Sequence, residues 1–81
     1  MSARLKLKDR LRVVRLARMH ADKPESELKE VLEADAVKFG IDPSLIILFL
    51  QIGLAIWKYM QNKDVSHLSN TALYDAALTE E

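Results

Sequence analysis

The sequence predicts an all-α protein: a small bundle of three main helices plus a weak C-terminal helix, with a strongly apolar central helix. Three observations carry this. Apolar residues recur at three- and four-residue spacings rather than alternating. Start and stop signals (Asp-Lys-Pro at 22–24, Phe-Gly at 39–40, Asp-Pro at 42–43) cut the chain into helix-length pieces. No Asn-Gly or Asp-Gly pair is present to close a hairpin. The 81 residues read as one helical domain, 1–81, divided into a basic helix or arm (1–21), an acidic amphipathic helix (22–40), an apolar helix (42–63) and a weak helix with its tail (64–81). The connections are short, which favours antiparallel neighbours.

The first helix is expected from about Ala3 to Ala21. Leu7, Leu11, Val14 and Ala21 share one face, with Leu5 and Leu16 pointing elsewhere. The second begins at Asp22-Lys23-Pro24-Glu25, with Asp22 expected as the cap, Pro24 in the first turn and Glu25 reaching back to the cap. Its apolar stripe is Leu28, Val31, Leu32 and Phe39. Gly40 is expected as a left-handed stop, and Ile41 as the hydrophobic contact that accompanies it. Asp35 interrupts that stripe and calls for a cation, with Arg18 or the basic arm of another copy as the candidates. Asp42-Pro43-Ser44 opens the third helix, which runs to about Lys63. The fourth opens at Asp64-Val65-Ser66 or at Ser69-Asn70-Thr71, and carries Leu68 and Ala72.

Charge is unevenly distributed. Residues 1–20 hold seven cations against Asp9 alone, a net +6, whereas the other 61 residues hold five lysines and eleven acids, a net −6. The total is zero, but the molecule is dipolar. Arg4, Lys6, Lys8, Arg10, Arg12, Arg15 and Arg18 are therefore the candidate electrostatic contact, directed at an acidic protein surface or a nucleic acid. The basic segment lacks an aromatic residue, so it offers no base-stacking platform. It also lacks the continuous apolar stretch of a secretory signal.

From Leu45 to Trp57 the third helix has one polar residue, Gln51. Ser44, Gln51, Lys58 and Asn62 fall on a single narrow line, and the remaining circumference is apolar. A helix apolar nearly all round belongs inside a larger core or in lipid. One chain of this size is expected to cover two sides of it and leave a third open. Leu45, Ile46, Phe49, Leu50, Ile52, Gly53, Ile56, Trp57 and Met60 are thus the candidate protein interface. From Leu45 to Met60 is only about 24 Å of helix, against about 30 Å of bilayer hydrocarbon.

Enzyme chemistry is not expected. The absence of Cys excludes a thiol nucleophile and a disulfide framework, and two Gly leave no room for a glycine-rich phosphate loop. His20 and His67 lack the spacing of metal ligands, and the acids of the second segment read as a solvated face. No cofactor or metal is expected. The sequence favours a non-enzymatic structural or assembly subunit, a homo-oligomer or part of a larger assembly, in the cytoplasm or a virion. A membrane-inserted protein of holin-like or regulatory kind is the first alternative. A nucleic-acid-binding or inhibitor module using the basic segment is the second.

Overall fold

A computed structural model describes residues 5–79. Four helices occur in order: α1 Leu7–Met19, α2 Glu25–Lys38, α3 Pro43–Asn62 and α4 Asn70–Thr79, with no strand among the described residues. The all-α reading therefore holds, with three main helices and a shorter fourth.

Proline position sets two of the helix starts. Asp42 immediately precedes Pro43, so its backbone is held extended (φ −51°, ψ 128°) and its carboxylate accepts from the Ser44 N–H at 2.9 Å. Asp22 lies one residue further from its proline, and the expected cap does not form. The residue before a proline is steered away from helical backbone, so α2 cannot begin at Lys23. Pro24 itself takes the extended capping position and has no side chain to accept with. Its carbonyl receives the N–H groups of Glu27 and Leu28, both at 3.1 Å. Glu25 does not reach back; it pairs with Lys58 of α3 at 3.7 Å.

The end of α2 matches expectation. Gly40 is left-handed at φ 69°. Its N–H donates to the Val37 carbonyl, and that of Ile41 donates to Ala36 across the final turn. Ile41 is buried. At α4 the second of the two expected starts is used, where the Ser69 hydroxyl accepts from the Ala72 N–H at 3.1 Å.

The apolar face of α1 is only partly the expected one: Val14 lies on it, but Leu7 does not. Val13, Val14 and Ala17 are fully buried, as is Leu5 just before the helix, while Leu7 is 62% exposed. Because α1 begins only at Leu7, Leu5 is not bound to the helical phase. Its extended segment turns the side chain inward, and Arg10 Nε donates to the Leu5 carbonyl at 3.0 Å. The expected start of this helix at Ala3 lies outside the described residues.

Both α1 and α3 touch every other helix, whereas α2 and α4 flank them without meeting. Glu25 faces Lys58 and Leu32 faces Gly53, so α2 runs antiparallel to α3. Val13 lies at Gly53 and Ala21 at Gln61, so α1 runs parallel to α3. The core is Phe49, Ile52 and Ile56 of α3 with Leu28, Leu32 and Ala36 of α2, the buried face of α1, and Leu73 and Ala77 of α4. The radius of gyration, 11.7 Å, is the value expected of a compact domain of this length.

Candidate interaction surfaces

At Gly53 side chains of both α1 and α2 press against the backbone of α3. A Cβ built there would lie 2.6 Å from Leu32 Cδ1 and 3.1 Å from Val13 Cγ2. Around it Phe49, Ile52 and Ile56 are buried, forming the inner face of α3. Leu45, Ile46, Leu48, Leu50, Leu54, Trp57, Tyr59 and Met60 pack against the core while keeping part of their surface exposed. The outer line carries Ser44, Gln51, Lys58 and Asn62, all exposed as their phase requires.

This arrangement divides the nine candidate interface residues of α3. Phe49, Ile52, Gly53 and Ile56 are used inside the chain and are not a surface. Leu45, Ile46, Leu50, Trp57 and Met60 remain half-buried. The expectation that two sides would be covered also needs correction. Three helices pack on α3, and its fully exposed positions are mostly polar. The large apolar side chain left outside is Ile47, 68% exposed. It lies one turn before Gln51, so the polar line itself could have located it.

An open groove of about 440 Å³ runs beside the outer line, between α3 and Ala77 of α4. Leu54, Ala55 and Tyr59 give it apolar walls, and Gln51, Lys58, Asn62 and Lys63 give it a polar rim. Lys58 holds the ion pair to Glu25, and the Lys63 ammonium lies 5.1 Å from the centre of the Tyr59 ring. Trp57 Nε1 is buried without a hydrogen-bond partner among the described residues.

Lys8, Arg10, Arg12, Arg15 and Arg18 belong to α1 and Lys6 immediately precedes it, and these residues separate into two groups. Arg10, Arg12 and Arg18 hold the fold. Arg18 lies in the last turn of α1 and donates to Asn70 Oδ1 at 2.7 Å and to the carbonyls of Val65 and Leu68 at 2.9 and 2.6 Å. It ties the α3–α4 connection to α1 and does not meet Asp35, so the pair expected from the sequence is absent. Arg12 sits 3.6 Å from Asp9 and stacks 4.1 Å from the centre of the Phe39 ring, and Arg10 lies over Tyr74. The side chains of Lys6, Lys8 and Arg15 are exposed, with no side-chain hydrogen bond or ion pair among the described residues. Arg4 lies outside the described residues.

Two exposed carboxylates have lowered pKa values. At Asp42 the cause is the Ser44 N–H and then its hydroxyl; at Asp64 it is the Ser66 N–H, the Ser66 hydroxyl and, last, the nearby His67. Both are turn-forming groups: each hydroxyl lies 2.8 Å from the carboxylate it donates to. Among the described residues no three His, Asp or Glu side chains converge on a point where a metal could be held. No family model, curated protein or solved structure matches the chain.

Proposed function

We propose that the chain is a non-enzymatic assembly subunit that associates with further copies of itself through the exposed side of α3. The observation that carries this reading is the state of α3. It is 20 residues long, and its most apolar stretch has a mean hydropathy of 1.5, yet only 22% of the residues in that stretch are buried and most of its other apolar residues are half-buried. Covering half-exposed apolar side chains is favourable by about 25 cal/mol per Å² removed from water. Ile47 and the half-buried Leu50 and Leu54 surround Gln51, whose amide can both donate and accept. Across a two-fold axis such a residue can pair with its own equivalent and fix register. The setting that suits this reading is cytoplasmic, or a repeating particle such as a virion.

The test is molar mass by light scattering without detergent, followed over concentration. The mass should exceed the 9.2 kDa of one chain and rise with concentration. Ile47→Lys should return it toward a single chain without loss of helicity, since Ile47 lies outside the core. A constant 9.2 kDa at every concentration would refute the reading.

A second reading, insertion into a bilayer, is favoured by one observation. At 20 residues α3 is about 30 Å long, the thickness of bilayer hydrocarbon, although its apolar stretch Leu45–Met60 spans only about 24 Å of that. Insertion would pull Phe49, Ile52 and Ile56 out of the bundle core, which is why self-association is preferred. Recovery only in detergent would support the bilayer.

A further inference from the structure

The outer side of α1 is both cationic and apolar. Asp9, the one acid among the first 20 residues, is 8% exposed and lies against Arg12, so its charge is withdrawn from the surface. At helical spacing Lys8, Leu11, Arg15 and Met19 form one line, flanked by Leu7. Leu7 is 62% exposed and Met19 65% exposed, while the side chains of Lys8 and Arg15 are exposed without a partner among the described residues. From Leu7 to Met19 this surface is about 18 Å long.

A polyanion such as RNA would use the cations but has no use for two large uncovered apolar side chains beside them. A bilayer surface bearing anionic headgroups uses both. The phosphates and carboxylates attract Lys8 and Arg15, and Leu7 and Met19 dip into the boundary of the acyl chains. We propose that the outer side of α1 docks on an anionic lipid surface, with α1 lying in the plane of the interface. The docking leaves the bundle intact, because none of these four side chains belongs to the core. It uses a different surface from the self-association reading and does not depend on it.

The test is co-sedimentation of the full chain with vesicles of phosphatidylcholine alone, or with about 30% phosphatidylserine added, at low salt and again at higher salt. Binding is expected to the anionic vesicles alone and should weaken as salt rises. Lys8→Gln with Arg15→Gln should weaken it by at least about tenfold. Leu7→Gln with Met19→Gln should also weaken it severalfold, yet leave any binding to a single-stranded RNA unchanged. Ile47→Lys should bind the vesicles like the parent chain, which separates this surface from that of α3. Three results would overturn the proposal: no binding to anionic vesicles at low salt, equal binding to neutral ones, or vesicle binding unaffected by Leu7→Gln with Met19→Gln. The last result, combined with tight RNA binding, would make α1 a polyanion surface instead.

Discussion

Gly53→Ala measures how closely the three main helices approach. The added methyl would lie 2.6 Å from Leu32 Cδ1 and 3.0 Å from Cδ2, about an ångström inside ordinary carbon contact. Leu32 is fully buried, so it cannot swing into solvent, and Val13 Cγ2 at 3.1 Å closes the other side. Overpacking of this kind costs about 1–3 kcal/mol. Alanine in mid-helix returns about 1 kcal/mol through its higher helix propensity. The expected net loss is up to about 2 kcal/mol, and for a domain of this size each kcal/mol lowers the melting temperature by about 4–8 °C. Leu32→Val withdraws the side chain's far end, so in that background Gly53→Ala should be close to neutral. The coupling read from the four-way cycle should then favour the double variant by about 1 kcal/mol or more. Thermal and urea melts followed by circular dichroism give these values, and light scattering should show association unchanged. A Gly53→Ala protein that melts higher than the parent would mean that only propensity changed, and the close approach would be refuted.

Arg18→Leu should destabilise the chain by about 2–4 kcal/mol, because one guanidinium serves three acceptors that lose their donor together. Arg18→Lys should recover only part of this, since an ammonium lacks the planar fork, and a melt equal to the parent would refute the assigned tie. Acid should also reveal the two turn carboxylates. Folding lowers the pKa of Asp42 and Asp64 below 3.8, so the stability they add is complete above that value and is lost as pH falls through the lower folded pKa. Asp42→Asn with Asp64→Asn should flatten the fall in melting temperature below about pH 4, and an unchanged acid limb would count against both turns.

Local rules made the helix boundaries legible where the rule acts on adjacent residues. Asp42-Pro43 and Phe39-Gly40-Ile41 were readable because cap, proline and left-handed glycine act on their immediate neighbours. Asp22-Lys23-Pro24 misled because the constraint a proline places on the residue before it outweighs the appeal of an acidic cap two positions away. The buried face of α1 was legible only at Val14, since Leu5 lies before the helix and its side chain is placed by tertiary packing. The destination of Arg18 was not legible. Its three acceptors lie 47 to 52 residues away, and two of them are backbone carbonyls that carry no sequence signal.

The surfaces show the same division between local and tertiary information. Composition identified α3 as too apolar to stand alone, and phase identified its polar line; neither could say which apolar residues the rest of the chain would take up. Packing removes Phe49, Ile52, Gly53 and Ile56 and leaves a narrower edge around Ile47 and Gln51. On α1 the same process acts on charge. Arg10, Arg12 and Arg18 are drawn into stacking and hydrogen bonds, and Asp9 is buried beside one of them. What stays outside is a smaller charge than +6, but one unopposed by any acid on its own helix and set among exposed Leu7 and Met19. Net charge alone points to any polyanion. The retained apolar neighbours narrow the choice to a partner with an oily layer beneath its charge.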